Sequence, residues 1–282
     1  MYISQIIDLG SKALKEKKIK SHILDSELIL SEILRISREK ILVSSDKKLK
    51  NTHVLSFNKL LKRRLHSEPI AYILKRKEFF SKNFYVNKNT LIPRPDTELL
   101  VEKILKVNKK KNPYILDIGT GSGCIILSLL QNIENSRGVA IDISKKALDL
   151  AKKNAQKMKL NKKCNFIHRS IEKISGYKFD LIVSNPPYIP RHQIKNLSKD
   201  IKQYEPRNAL DGGNDGLDVI KKVIYKSTTI LKKNGLLAIE IGNEQYKKVL
   251  QILNLYGFRN RFLIKDYQKN IRCLISVLKW KI

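Results

Sequence analysis

A chain of 282 residues can bury one large core or two modest ones. Its 57 Lys and Arg against 26 Asp and Glu leave a net charge of +31, a field that attracts nucleic acid and acidic partners. Hydrophobic residues make up 42% of it, but no apolar run approaches the roughly 20 residues needed to span a membrane. The lysines are scattered over almost every helical segment and form no aromatic-studded stripe. We read the excess as drift towards Lys, Asn and Ile in an AT-rich genome, and charge alone names no substrate.

In chain order, Met1 to Lys20 is interrupted by Asp8 and Lys12 and is no signal peptide. Residues 1–75 carry helical periodicity in Ile3, Ile6, Ile7, Ala13 and Leu14, then Leu24, Leu28, Ile29 and Ile33, then Leu55, Leu60, Leu61 and Leu65. That pattern predicts a small helical bundle. Glu78-Phe79-Phe80 and Phe84-Tyr85-Val86 predict a short hairpin within a connecting stretch, residues 76–95. From residue 96 to 282, strand and helix alternate. Strands are expected near 114–118, 138–142, 164–168, 179–184, 235–241, 258–264 and 271–278. Helices are expected near 96–107, 122–132, 144–158, 215–232 and 244–256. The fold class is therefore α/β, a seven-stranded doubly wound Rossmann-like sheet, with ligands at the carboxyl ends of its strands. Three isolated cysteines (Cys124, Cys164, Cys273) and five histidines show no metal spacing, so no metal is expected and a reducing cytoplasm is the default location.

Three strand ends carry the chemistry. After Tyr114-Ile115-Leu116 comes Asp117-Ile118-Gly119-Thr120-Gly121-Ser122-Gly123, a glycine loop entering a helix. A dinucleotide site wants a glycine or alanine three positions after its second glycine. That place holds Cys124 in one register and Ile126 in the other, so the nicotinamide reading fails. An acid followed by three alternate glycines fits S-adenosylmethionine-dependent methyltransferases. The next strand, Gly138-Val139-Ala140-Ile141, ends in Asp142, a carboxylate able to accept from two ribose hydroxyls. Phe179 to Val183 leads into Asn185-Pro186-Pro187-Tyr188. Prolines lack an N–H and fix φ, so this loop offers two rigid acceptors, the Asn185 side-chain oxygen and the Pro186 carbonyl. Tyr188 is expected to supply a flat face for a planar group. Such a site suits an –NH2 whose lone pair is conjugated, in an amide or a nucleobase.

Further segments give the chain a family resemblance. Glu68-Pro69-Ile70-Ala71-Tyr72-Ile73, Leu91-Ile92-Pro93-Arg94-Pro95-Asp96-Thr97-Glu98, Glu205-Pro206-Arg207, Ala209-Leu210, Gly212-Gly213, Glu240-Ile241-Gly242 and the pair Asp266 and Arg272 resemble signatures of bacterial glutamine methyltransferases that modify peptide chain release factors. The resemblance implies an N-terminal domain, residues 1–75, that recognises the release factor. It also implies a methyltransferase domain, residues 96–282, acting on the glutamine of a Gly-Gly-Gln loop. S-adenosylmethionine would contact Gly119, Thr120, Gly121, Ser122, Gly123, Asp142, Ile171 and Asn185. Asn185, Pro186, Pro187 and Tyr188 would hold the substrate amide. A monomeric cytoplasmic enzyme is expected. A sister family that methylates a ribosomal-protein glutamine usually differs at Arg94 to Glu98. Read structurally, that stretch is a proline turn entering a helix, with Asp96 or Thr97 as the cap. Lys75 stands where the family usually has glycine, and Ser170-Ile171 where an acid–aromatic pair usually meets adenine. The rival readings are a methyltransferase for adenine or cytosine amines, which the charge would suit, and a non-catalytic ribosome- or RNA-binding module, which the intact glycines and Asn185 oppose.

Overall fold

The computed structural model describes residues 1–266 and 268–279. These form two compact units. Met1–Lys75 folds together with the distant segment Ser198–Tyr204, and Arg76–Leu197 folds together with the chain from Glu205 onward.

The first unit is helical: α1 (Ile3–Glu16), α2 (His22–Leu34), α3 (Arg38–Val43), α4 (Asn51–Leu65) and α5 (Ile70–Ile73). Ile3, Ile6, Leu14, Ile29, Leu30, Ile41, Phe57 and Leu61 make its core. Two residues expected inside, Leu24 and Leu55, are exposed at 42% and 69%. Phe57 fills the position on α4 that periodicity had given to Leu55, because the buried face of α4 runs through Phe57, Leu61 and Arg64. Arg64 is itself buried, with Nε donating to Asp25 at 2.6 Å, so the bundle encloses a paired charge. Lys75 sits at φ +57°, the left-handed conformation that glycine adopts without strain.

The second unit opens with an antiparallel hairpin, β1 (Arg76–Phe79) and β2 (Lys82–Tyr85), whose Phe79 and Phe84 enter the unit's core edge to face. The chain continues through α6 (Pro95–Val107), β3 (Tyr114–Ile118), α7 (Cys124–Asn132), β4 (Arg137–Asp142), α8 (Lys145–Lys157), β5 (Cys164–His168) and β6 (Phe179–Ser184). The short helix α9 (Lys199–Tyr204) belongs to the first unit, where the Tyr204 hydroxyl donates to the His66 carbonyl at 3.0 Å. Then follow α10 (Asp218–Ile230), β7 (Leu231–Glu240), α11 (Tyr246–Leu255), β8 (Phe258–Lys265) and β9 (Ile271–Leu278). Strand β7 begins four residues before its predicted start, directly after α10, and the α9 segment has no apolar periodicity that would have announced it.

The seven strands β3 to β9 form one sheet in the order β5-β4-β3-β6-β7-β9-β8. Strands β3 to β7 run parallel to one another, and β9 runs antiparallel between β7 and β8. The central strands are buried on both faces, Phe179 to Ser184 along the whole of β6, which is why they read as continuous apolar runs. Two clusters pack against the two faces: one around Leu100, Ile104, Ile126 and Leu130, the other around Ile182, Ile220, Ile224 and Leu253. The chain is thus a Rossmann-like α/β sheet with a helical unit. After β3 the connections go first to β4 and β5, then cross back to β6. This switch opens a crevice beyond the carboxyl ends of β3, β4 and β6.

Candidate active site

That crevice is a cavity of about 470 Å³. Asp117 is the second-to-last residue of β3, and the glycine loop follows directly after the strand. Gly119, Gly121 and Gly123 have φ of +70°, +56° and +80°, so all three alternate positions need the left-handed conformation. The Gly119 and Thr120 amides donate to the Ile141 carbonyl at 2.9 and 3.0 Å, tying the loop to β4. Asp142, the last residue of β4, accepts from the Gly121 amide through Oδ2 (2.9 Å) and from the Ser144 amide through Oδ1 (2.8 Å). Each oxygen keeps a lone pair for a further donor. Burial pushes the Asp142 carboxyl above its ordinary value, and these backbone donors oppose the shift. Asp117 is fully buried beneath the loop and accepts from the Thr120 hydroxyl at 2.7 Å; burial pushes its carboxyl up to about 7. Asn154 of α8, which sequence reasoning missed, donates to the Ser122 carbonyl at 2.8 Å and exchanges bonds with the Tyr85 backbone, anchoring the loop to the hairpin.

Gly119, Thr120, Gly121, Ser122, Asp142 and Ile171 line the cavity, whereas Gly123 does not. A Cβ on Gly123 would meet Leu127 at 3.2 Å and Ala151 at 3.3 Å, so this glycine serves helix packing. Ile143 also lines the cavity while 60% exposed, an apolar wall that no motif announced. Ser170, which stands where an acid is usual, directs its hydroxyl to Glu172 Oε2 at 2.5 Å; Glu172 in turn pairs with Lys222 at 2.6 Å.

At the other end of the cavity are Asn185 and Pro187. The Asn185 Nδ2 donates to the Thr97 hydroxyl at 3.2 Å, and Thr97 donates to Glu240 Oε2 at 2.6 Å. Glu240 ends β7, is fully buried, and also accepts from the Tyr188 hydroxyl at 3.2 Å. Arg272 donates to that same hydroxyl at 2.9 Å and lies 5.3 Å from the centre of the tyrosine ring. Burial pushes both the Glu240 carboxyl and the Tyr188 phenol above their ordinary values. Among the described residues nothing donates to the Asn185 Oδ1 or the Pro186 carbonyl.

One expectation gains detail and another needs correction. Tyr188 and Pro186 do not line the cavity. The Tyr188 ring is partly buried against the sheet's second core cluster, and its hydroxyl bonds to Glu240 and Arg272, which anchors the loop. Nor do Asp96 or Thr97 cap α6. Arg94 is the N-cap without a side-chain cap bond, Pro95 opens the helix, and the Thr97 side chain is committed to Glu240. The remaining signatures brace the same loop. Buried Glu205 pairs with Arg94 and accepts from the Ile92 amide at 3.1 Å. Ile189 and Gly212 exchange backbone bonds with the opposite segment, and a Cβ on Gly212 would stand 2.8 Å from the Pro187 carbonyl and the Tyr188 Cα. Gln245 donates to the Tyr188 carbonyl at 3.0 Å.

Both parts of the chain match known proteins. A methyltransferase-domain model matches residues 109–270, and the model of the PrmC N-terminal domain matches residues 5–74. A Flavobacterium psychrophilum protein named release factor glutamine methyltransferase is 40% identical over 280 residues, 97% of this chain and 96% of its own. One of the same name from Clostridium botulinum is 37% identical over 94% of this chain and 95% of its own. The crystal structure of a methyltransferase from Pyrococcus furiosus superposes with a TM-score of 0.54 at 16% identity, covering 78% of this chain and 98% of that one, a likeness of fold alone. With both parts of the chain matched and near full-length identity to such relatives, this protein belongs to the release factor glutamine methyltransferase family.

Proposed function

We propose that the chain transfers a methyl group from S-adenosylmethionine to the side-chain amide nitrogen of the glutamine in the Gly-Gly-Gln motif of peptide chain release factors. The observation that carries this reading is the pinned Asn185 amide. Its nitrogen is held by Thr97, and its oxygen is left as an acceptor at the end of β6 on the wall of the glycine-loop cavity. The relatives' name gives the acceptor class.

The residues present suit the cofactor. The Asp142 lone pairs match a ribose diol, Ile143 and Ile171 give apolar walls for a purine, and the glycine loop leaves no side chain in the way of a close approach. When bound, S-adenosylmethionine supplies a methyl group on a positively charged sulfur. An amide nitrogen is a weak nucleophile because its lone pair is delocalised into the carbonyl. Asn185 Oδ1 and the Pro186 carbonyl would accept its two N–H bonds, drawing density onto the nitrogen and fixing the amide plane. Pro187 would limit rotation of that plane. Holding two reactants in such an orientation can remove up to about 7–11 kcal/mol of a barrier, so no strong base is needed before transfer, and the nitrogen gives up one proton to water once it carries the methyl group.

The test offers labelled S-adenosylmethionine with release factor, ribosomes, RNA and DNA in separate reactions. Label is expected on the release factor, and is expected to vanish when the Gly-Gly-Gln glutamine is replaced. Label on nucleic acid alone would overturn the reading and make the net charge of +31 the telling feature.

A further inference from the structure

The Asn185 amide can serve as an acceptor only if its oxygen, and not its nitrogen, is turned to the substrate. Nothing in an isolated asparagine decides this, since the two orientations have nearly the same shape. Here the surroundings decide. Glu240 is the terminal acceptor of a chain of bonds that all run towards it: Arg272 to Tyr188, Tyr188 to Glu240, Thr97 to Glu240 and Asn185 to Thr97. A hydroxyl has one hydrogen, and Thr97 spends it on Glu240 at 2.6 Å. Towards Asn185 it therefore presents only lone pairs, and only the Asn185 nitrogen can answer them.

We propose that Thr97 and Glu240 form a directional relay that orients the Asn185 amide, making Thr97 a positioning residue for methyl transfer. The inference rests on Asn185 being the group that receives the substrate amine. It assigns a purpose to the Arg94–Glu98 and Glu240–Gly242 segments that helix capping does not supply. Both members are buried, Thr97 at 2% exposure and Glu240 at 0%, and a bond so little exposed to water is electrostatically stronger than one in solvent. They come from α6 and β7, rigid elements 143 residues apart, while Asn185 stands on a loop locked by two prolines.

Thr97→Val removes the hydroxyl at nearly constant volume, and Thr97→Ser keeps it. The measurements are kcat and KM for the acceptor that the wild type methylates, with cofactor affinity by calorimetry. The relay requires Thr97→Val to lower kcat by about 10- to 100-fold, the scale of one buried hydrogen bond lost at a reacting centre. Cofactor affinity should stay within a few-fold, and Thr97→Ser should return kcat to near the wild-type value. Equal kcat in Thr97→Val and wild type would overturn the relay, as would equal impairment of the Ser and Val variants, which would assign Thr97 to packing. Should the Val variant not fold, Thr97→Ala against Thr97→Ser gives the same decision. A wild type inactive on release factor but active on another amine would sink the proposed substrate while leaving the Thr97 series readable on that amine.

Discussion

At its glycine-loop end the cavity is made largely of backbone. Two left-handed glycines, Gly119 and Gly121, two amides bonded to the Ile141 carbonyl, and one carboxylate held by backbone amides build it from two adjacent strand ends. At its Asn185 end the cavity is lined by Thr97 of α6 and Arg94, and these are braced from behind by side chains from far apart: Glu240 on β7, Arg272 on β9, and Glu205 clamping Arg94. The first end depends on φ angles that only certain residues adopt easily, so it is written locally. The second depends on convergence, so each contributor looks ordinary until the fold brings it in. The difference also divides the labour. The backbone end can hold a cofactor that is always the same, and the side-chain end can set the angle of a reacting amide.

The sharpest way to break this division is Asn185→Ala. Turnover is expected to fall on the order of 10²–10³-fold, the loss typical of one preorganised polar group at a reacting centre. The fold should survive, because the side chain makes a single bond to Thr97. A rate equal to wild type would remove the Asn185 end from the chemistry. Next comes Asp142→Ala at the opposite end. Loss of hydrogen bonds to a charged acceptor should weaken cofactor binding by about 10- to 100-fold in titration calorimetry, with kcat at saturating cofactor affected less. Loss of kcat at unchanged affinity would reverse the assignment of the two ends.

The smallest expected effect is on stability. Burial raises the Asp117 carboxyl from 3.8 to about 7 in the folded chain. The stability this group contributes is fully present below 3.8 and is lost as pH rises to about 7. Asp117→Asn cannot titrate, so its thermal midpoint relative to wild type should climb across that window and level off above it. A flat difference would mean that the glycine loop holds Asp117 charged throughout.

Much of the fold was legible because parallel strands buried on both faces read as apolar runs, and β3, β5, β6 and β9 have the ends the sequence predicted. The glycine loop and Asp142 were legible for the same local reason. Asn185 and Pro187 were legible because two prolines after a strand constrain the chain strongly. The partners of Tyr188 were not legible, since aromatic character alone does not tell what a ring's hydroxyl will meet; Glu240 and Arg272 lie fifty-two and eighty-four positions on. Thr97 looked like a cap because it sits in a first helical turn. Its partner lies on a strand 143 residues away, and no spacing rule links them. Asn154 and Ile143 carry no motif: one is a buried helix asparagine, the other an exposed isoleucine after an acid.

The most direct test of the function argued for both ends is to map the methyl group itself. Release factor incubated with the enzyme and S-adenosylmethionine, then digested and sequenced by mass spectrometry, should carry a single methyl on the side-chain nitrogen of the Gly-Gly-Gln glutamine. That modification should be absent when Asn185→Ala replaces the wild type. A methyl group on any other residue, or one placed equally well by Asn185→Ala, would contradict the account.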